Sequence, residues 1–183
     1  MIIGITGPIC AGKNSVSKIL EEYYGYIPKS FSEEVRLEAY ARGIEPTRKN
    51  LQRLGADLKE QQSKDYWSRR ILGRLSKRTG YVVDGFRSSE EVQAFRSFGD
   101  FILLGVSASF DVRFQRYVKR AREGDDLSIE AFRKVDSFDK GEDGSRSSES
   151  ALVYRSIDHE ITNDGKEEEL RLRVETFMSS ISG

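Results

Sequence analysis

A glycine-rich turn that ends in a lysine follows the first apolar segment of the chain. Residues 2–6 are mainly β-branched, Gly7 follows, and Gly12 and Lys13 complete the spacing G-x-x-x-x-G-K. Glycines let the backbone fold tightly around an anion, and a helix starting at the lysine adds its positive dipole end. The spacing predicts a phosphate-binding loop for a nucleoside triphosphate. The residues assigned to it are Gly7, Pro8, Ala11, Gly12, Lys13, Asn14 and Ser15.

The residue after the lysine departs from the usual motif. That position normally carries a Ser or Thr hydroxyl for Mg²⁺, whereas here it holds Asn14, and the hydroxyl comes one residue later at Ser15. Three interpretations stay open: Asn14 binds the metal through its amide oxygen, Ser15 binds it from the shifted position, or the loop binds no metal well. A glycine-rich turn without a ligand is the further alternative. The strand–turn–helix context favours phosphate binding.

A carboxylate stands at the end of a second apolar run. Residues 81–87 read Tyr-Val-Val-Asp-Gly-Phe-Arg, which predicts a buried parallel strand with Asp84 at its C-terminal tip. Ligands of open α/β sheets bind at such tips, and a carboxylate beside a triphosphate would organise Mg²⁺ or its waters. The alternative is a plain turn residue, because Asp-Gly is a common turn signal. Together with the loop motif, the functional interpretation is favoured.

Arginines recur along a predicted helix in the second half of the chain. Arg113, Arg116 and Arg120 share one helical face, and Arg122 lies just past its expected end. Several arginines on one face repel one another unless an anion or carboxylates share that face. Salt bridges on a solvated surface are one interpretation, and a phosphoryl-binding face is the other.

Strand and helix patterns alternate along the chain. Short apolar runs predict strands at 2–6, 26–31, 81–84, 101–106 and 158–162. Apolar residues at helical spacing predict helices at 13–24, 32–40, 47–58, 65–77, 90–95, 109–121 and 170–177, and a short helical pattern near 129–135. Ser32 is expected to cap the second helix, and Trp67 is expected in the core. These patterns predict a single α/β domain over residues 1–183, with three layers, the P-loop NTPase fold and a five-stranded parallel sheet.

Composition limits the classes of partner. Thirty Lys and Arg residues balance 30 Asp and Glu residues, so no global field indicates a nucleic-acid or membrane partner. One cysteine excludes an internal disulfide and suits a reducing compartment. No apolar run approaches the length of a membrane span, and the N-terminal segment is typical of a strand rather than a signal peptide. We expect a cytoplasmic protein with a small-molecule partner, either a monomer or a homodimer.

The motifs resemble those of the P-loop nucleoside monophosphate kinase family, which includes adenylate kinase. The loop of that family commonly reads G-K-G-T, and Gly12-Lys13-Asn14-Ser15 also places its hydroxyl one residue late. The family segment D-G-F-P-R is similar to residues 84–87, which lack the proline. Its serine-rich turn and acceptor arginine are similar to residues 30–36. The resemblance covers most of the chain and implies a phosphoryl-transfer fold.

This resemblance implies roles for individual side chains. Ser15 and Asp84 would order the magnesium shell, while Arg36 and Arg87 would hold the phosphate of the acceptor. Lid arginines of the family follow the pattern R-x-x-x-R-x-R, and residues 116–122 carry a similar pattern. The resemblance implies that Arg116, Arg120 and Arg122 clamp the phosphoryl group during its transfer. In relatives the loop after the last strand lies beside the donor adenine, a place that Asn163 and Gly165 would take here. A simple turn is the alternative for that loop.

The long helical segment between the second and third strands is the expected acceptor site. Residues 46–55 are similar to the segment after the acceptor helix of phage-type deoxynucleoside monophosphate kinases, which makes Arg48 and Gln52 acceptor-binding candidates. Residues 32–78 are therefore expected to form a helical acceptor-binding insertion. The polar, glycine-broken residues 120–150 are expected to form a short lid, with a surface loop as the alternative.

The function expected from these features is ATP- and Mg²⁺-dependent phosphoryl transfer to a small nucleotide. Lys13, Asp84, Arg87, Arg120 and Arg122 would carry the reaction. A nucleoside monophosphate acceptor needs no general base, because its oxygen is already anionic. Dephospho-CoA kinase, a cousin of the family, is the alternative, since its hydroxyl acceptor would use Asp84 as a base. A nucleotide-binding switch that hydrolyses ATP without an acceptor is the second alternative.

Overall fold

The computed structural model describes residues 1–76, 79–121, 126–140 and 147–181. Five parallel strands form one sheet in the order β2-β3-β1-β4-β5. The strands are β1 Ile2–Thr6, β2 Ile27–Ser30, β3 Tyr81–Asp84, β4 Phe101–Ser107 and β5 His159–Thr162. The predicted α/β fold with a five-stranded parallel sheet is confirmed.

Helices cover both faces of the sheet. They are α1 Lys13–Tyr24, α2 Phe31–Ala41, α3 Arg48–Gln61, α4 Tyr66–Leu72, α5 Ser89–Phe98, α6 Phe110–Arg120, α7 Ile129–Lys140, α8 Ser147–Arg155 and α9 Glu167–Ile181. Side chains of α1 and α9 pack on one face, and those of α2 to α5 and α8 pack on the other. Within the described ranges, no helix is long and apolar enough to cross a membrane.

Aliphatic side chains from β1 fill both cores because successive residues of a strand point to opposite faces. Ile3 and Ile5 belong to the cluster under α1 and α9, whereas Ile2 belongs to the cluster on the other face. Trp67 is 2% exposed within that second cluster, so its predicted core position is confirmed. Burying one such large apolar side chain contributes roughly 1.5–3 kcal/mol.

The helix that follows β2 begins earlier than the sequence indicates. Ser30, not Ser32, is the N-cap residue of α2, and its hydroxyl accepts a hydrogen bond from the Glu33 N–H at 3.1 Å. Both serines have the right chemistry for a cap, and the burial of Phe31 on the core side decides between them. The predicted helix over 65–77 is also shorter, because α4 ends at Leu72 before Gly73.

An ion-pair cluster joins α2 to α4 inside the helical segment between β2 and β3. Glu34 is 4% exposed and lies 3.1 Å from Arg74 Nη1, and Arg70 Nη1 lies 2.8 Å from Glu38. Arg70 also lies over the rings of Tyr66 and Trp67. Buried carboxylates need such partners, so these charges fix the two helices against each other.

The segment expected to form a lid contains more helix than its composition indicates. The predicted short helical pattern near residues 129–135 extends to Lys140 as α7, and a further helix, α8, follows. Val153 of α8 is fully buried against the sheet. Residues 122–125 and 141–146, including Arg122, lie outside the described residues.

Candidate active site

The loop between β1 and α1 has the backbone that its glycines allow. Gly7 and Gly12 have φ angles of +147° and +102°, which side-chain-bearing residues rarely adopt. A Cβ at Gly7 would overlap the Val106 carbonyl oxygen, and a Cβ at Gly12 would overlap the Asn163 amide. The two glycines therefore let the loop lie directly against the ends of β4 and β5.

Asn163 and Arg116 brace this loop from behind. Asn163 Nδ2 donates to the Ala11 carbonyl at 2.9 Å, and its backbone N–H donates to Ser107 O at 2.7 Å. Arg116 Nη1 also donates to Ala11 O at 3.4 Å, and Arg116 Nη2 donates to Asn163 Oδ1 at 3.3 Å. Both residues thus contact the loop itself. Gly165 lies further out, exposed and next to Glu169.

The Lys13 ammonium group lies over the loop that precedes it. Its Nζ donates to the carbonyl oxygens of Gly7 at 2.7 Å and Pro8 at 3.0 Å. A mobile cation held by carbonyls at this point can move to the outer phosphates of a bound nucleotide. Asn14 and Ser15 follow in the first turn of α1, and both are exposed.

Asp84 presents a buried carboxylate oxygen without a partner. Its Oδ1 atom makes no hydrogen bond within the described part of the chain. Burial raises the pKa of this carboxyl, while Lys13, the Gly85 N–H and Arg87 oppose the shift. An orphaned carboxylate oxygen beside a cation and a phosphate loop fits the oxygen donor that Mg²⁺ prefers. The described residues contain no group of three or more His, Cys, Asp or Glu that could hold a metal.

A cavity of about 630 Å³ opens where the loop meets β3. It brings together Lys13, Asp84 and Arg87, three of the residues predicted from the sequence, and Gly7 and Pro8 also line it. The Arg87 guanidinium makes no hydrogen bond or ion pair with the described residues, although it lowers the pKa of Asp84. This cavity is the candidate active site.

The turn that carries Arg87 is fixed by a residue that the sequence analysis missed. Glu91 is 2% exposed, and its Oε2 accepts from the backbone N–H groups of Arg87 at 2.7 Å and Ser88 at 3.2 Å. Its Oε1 accepts from Lys59 of α3. The spacing Ser88-x-x-Glu91 is a capping-box signal that was present in the sequence.

The arginines of α6 separate into different environments. Arg113 is 2% exposed, forms an ion pair with Asp136 of α7, and donates to Ala108 O at 3.0 Å. Arg120 is exposed and lies over the Tyr117 ring. The sequence analysis predicted that arginines on one helical face need an anion or a carboxylate beside them. For Arg113 that carboxylate is Asp136, a long-range partner that spacing alone does not reveal.

Three predicted acceptor-binding residues lie away from the cavity. Arg36 on α2 and Arg48 and Gln52 on α3 are all exposed, and none of them lines it. The far wall instead comes from α8 and β5, with Ser150, Ala151, Tyr154, Arg155 and Glu160. The sequence analysis predicted the β5 strand but gave it no role at the site, and it did not predict α8.

A glycine-rich loop between β1 and α1, with a carboxylate at the tip of the adjacent strand β3, defines the P-loop class of α/β proteins. Solved structures with this fold include two kinases. A shikimate kinase from Acinetobacter baumannii in complex with shikimate has a TM-score of 0.63 and 16% identity, covering 98% of this chain and 93% of that one. A gluconokinase from Sinorhizobium meliloti 1021 has a TM-score of 0.57 and 15% identity, covering 98% and 91%.

Sequence comparison gives the family. A UPF0200 protein from Hyperthermus butylicus is 30% identical over 185 residues, covering 100% of this chain and 96% of that protein. A family model described as an AAA domain matches residues 3–137. The chain belongs to the UPF0200 protein family, and its fold is that of P-loop kinases.

Proposed function

We propose that the protein transfers the γ-phosphoryl group of ATP to a small nucleotide acceptor, namely a nucleoside or deoxynucleoside monophosphate. The observation that carries this proposal is the meeting of Lys13, Asp84 and Arg87 in one cavity beside the phosphate loop. Lys13 and the loop N–H groups hold the donor phosphates, and Arg87 holds the acceptor phosphate. The transfer needs no covalent enzyme intermediate, because positioning and charge stabilisation carry such reactions.

Magnesium fits the donor side of this site. Ser15 and Asp84 are the residues that would hold it, and the orphaned Asp84 Oδ1 supports this assignment. When bound, Mg²⁺ would neutralise charge on the outer phosphates. Arg116 and Arg120 of α6 are assigned to the phosphates of ATP, the phosphoryl donor. Arg36, Arg48 and Gln52 contact the acceptor only if the α2–α3 segment closes over the cavity, a movement common among enzymes that exclude water.

A second candidate is transfer to a hydroxyl group, as in dephospho-CoA kinase. The raised pKa of Asp84 supports it, since a carboxylate whose pKa is raised is a better base for a hydroxyl proton. The structural neighbours add support at the level of fold, because shikimate kinase and gluconokinase are named for acceptors with hydroxyl groups.

The deciding experiment measures ADP formation from ATP and Mg²⁺ with a panel of acceptors. The panel contains each ribo- and deoxynucleoside monophosphate, dephospho-CoA, shikimate, gluconate and water alone. Stimulation by one or a few monophosphates is the expected result. Stimulation by a hydroxyl acceptor alone would replace the first candidate by the second. An equal slow rate in every sample would contradict both and indicate an ATP-hydrolysing switch.

Matched variants connect the activity to the site. Lys13→Ala should reduce phosphoryl transfer by at least about 100-fold, because the donor phosphates lose their main cation. Lys18→Ala, on the same helix with a side chain that is 66% exposed, should leave the rate unchanged. Full activity of Lys13→Ala would contradict the assignment of the site.

A further inference from the structure

The far wall of the cavity carries a polar pair that the proposed phosphoryl transfer does not use. The Tyr154 hydroxyl donates to Glu160 Oε1 at 2.7 Å, and both residues line the same cavity as Lys13, Asp84 and Arg87. The described carboxylates along this cavity are Asp84, at the phosphate end, and Glu160, at the other end.

The two ends of the cavity differ in hydrogen-bonding character. Lys13 and Arg87 offer donors and positive charge, which suit phosphate oxygens. At the other end, beside the Arg155 guanidinium, the single Tyr154 proton is already given to Glu160. Glu160 Oε2 and the phenol oxygen, which also interacts with Ser107, are the acceptors there. Burial and the nearby Glu160 raise the pKa of Tyr154, so the phenol keeps this proton at neutral pH. A ligand that spans the cavity therefore needs an anionic end and an end that donates hydrogen bonds.

The position of this pair is fixed by the packing of α8 on the sheet. Val153 is fully buried beside Tyr154, and a Cβ placed on Gly105 of β4 would lie 3.4 Å from the Tyr154 ring. Gly105 is paired with Glu160 in the β4–β5 register. Because a glycine forms the floor, the ring lies close over the sheet and its hydroxyl group reaches the β5 carboxylate.

We propose that Tyr154 and Glu160 bind neighbouring hydroxyl groups of the acceptor and so select acceptors that carry a diol. The inference rests on the proposed function and adds the chemical class of its acceptor. A carboxylate oxygen and a phenol oxygen side by side accept from two adjacent hydroxyl groups, whereas an acceptor that lacks one hydroxyl leaves a polar atom unpaired. The ribose of a ribonucleotide and the diol of a polyhydroxy acid share this chemistry.

The test compares acceptors that differ by one hydroxyl, in both turnover and direct binding. Each ribonucleoside monophosphate is paired with its 2′-deoxy form, and shikimate and gluconate form the polyhydroxy-acid arm. Calorimetry measures the binding of the same compounds. Wild type is compared with Glu160→Gln and Tyr154→Phe, and the control variants are Glu168→Gln and Tyr23→Phe, which change exposed side chains.

In the variants at the pair, kcat/KM for the diol acceptor should fall about 10- to 100-fold. The melting temperature should stay unchanged, and the deoxy acceptor should lose less than about threefold. Equal losses for ribo and deoxy acceptors would overturn the inference. So would a lowered melting temperature with no change in acceptor preference, since the pair would then be only a strut between α8 and β5.

The two proposals can fail separately. Transfer to monophosphates without any preference for a diol would overturn the inference and leave the proposed function standing. Binding of a diol compound that depends on Glu160, without turnover of any acceptor, would support the inference and contradict the proposed function. If no compound binds or reacts, both are overturned.

Discussion

The ionised Asp84 carboxylate lowers the stability of the folded protein, and the same carboxylate is proposed to hold Mg²⁺. Its carboxyl is held beside the loop with an orphaned oxygen, and burial raises its pKa. A raised pKa means that the folded protein binds the proton more tightly than the unfolded chain does. The charged form therefore lowers the free energy of unfolding at neutral pH, and this cost disappears as the pH falls below the ordinary pKa of an aspartate.

Asp84→Asn should raise the melting temperature of the nucleotide-free protein at neutral pH by a few degrees. The difference from wild type should shrink as the pH falls from 7.5 to 4, as measured by thermal unfolding. The same variant should lose phosphoryl transfer by about 100-fold, because the site would lose the carboxylate that would hold Mg²⁺ against the phosphates.

Asp164 is the comparison residue, because its pKa is shifted in the opposite direction to that of Asp84. The Ser109 N–H holds the pKa of Asp164 below its usual range, so Asp164→Asn should lower the melting temperature at neutral pH. Its contribution is present above the ordinary aspartate pKa and is lost as the pH falls through the lowered pKa. If Asp84→Asn behaved like Asp164→Asn, the burial argument for Asp84 would be wrong.

Gly12→Ala should abolish tight ATP binding. The added Cβ would overlap Asn163 Nδ2 and require a φ near +102°, so it would displace the amide that braces Ala11. We expect at least a tenfold weaker Kd for ATP by calorimetry, together with a loss of about 2 kcal/mol in urea unfolding.

Gly25→Ala is the matched control for this backbone effect. Gly25 also has a positive φ, +68°, but a Cβ there meets nothing within 4 Å. It should cost about 1 kcal/mol and leave ATP binding unchanged. Equal ATP affinities for the two variants would contradict the role given to the contact between residue 12 and Asn163.

Side chains that act through local spacing were predictable, and those that act through distant partners were not. Lys13 and Asp84 follow directly from the loop motif and a strand end, and the structure places them in one cavity. Glu160 has no such signal, because its partner Tyr154 belongs to a helix in a Ser-, Gly- and Asp-rich region. The place of Asn163 beside the donor base stays a prediction, and its amide contact with Ala11 is a long-range bond that spacing does not reveal.

Between elements, the contact of Lys59 with Glu91 joins α3 to the turn after β3. Glu91 holds the backbone N–H groups of Arg87 and Ser88, so a displacement of α3 reaches the turn that carries Arg87. Lys59 is therefore a positioning residue, which acts on Arg87 through Glu91.

Lys59→Met should lower kcat for acceptor-dependent turnover about 3- to 10-fold while leaving the KM for ATP unchanged. The buried Glu91 carboxylate would lose its cation, and we expect a cost of about 1–3 kcal/mol in urea unfolding. Lys64→Met is the control, because the Lys64–Glu90 pair joins the turn before α4 to α5 with a lysine side chain that is 75% exposed, and such pairs contribute under about 1 kcal/mol. A fall in stability without any change in kcat would contradict the positioning role.

The strands and first helix were the elements best predicted from the sequence. Helix α1 has its predicted bounds because apolar residues repeat at helical spacing between the lysine and Gly25. The strands lie within one or two residues of the predicted runs, since buried parallel strands are continuously apolar. Helix α8 was missed because its apolar residues form one short run, 151–154, after a polar segment, and a run of four residues is too short to show helical periodicity.

Across the whole molecule, the net charge of zero gives no long-range attraction for nucleotides, so affinity depends on the local cluster of cations at one edge of the sheet. Four cations, Lys13, Arg87, Arg113 and Arg155, line the described cavity together with two carboxylates. This excess of positive charge should be neutralised by bound phosphates.

A nonhydrolysable ATP analogue with Mg²⁺ should therefore stabilise the folded protein. At 100 times its Kd the gain is about 2.7 kcal/mol, which thermal unfolding would detect as a rise of a few degrees. Lys13→Ala should show little of this rise, and Lys18→Ala should show all of it. An equal rise in both variants would mean that the nucleotide binds elsewhere.

The bond from Asn163 to Ala11 also has a consequence for the making of the protein. It joins residues 152 positions apart, so the brace behind the loop cannot form until the last strand has been synthesised. At about 5–20 residues per second, the loop residues leave the ribosome roughly 8–30 s before their partner does. The newborn chain therefore carries its phosphate loop unbraced throughout this interval, and the braced loop that would hold a nucleotide forms only after β5 and Asn163 have emerged.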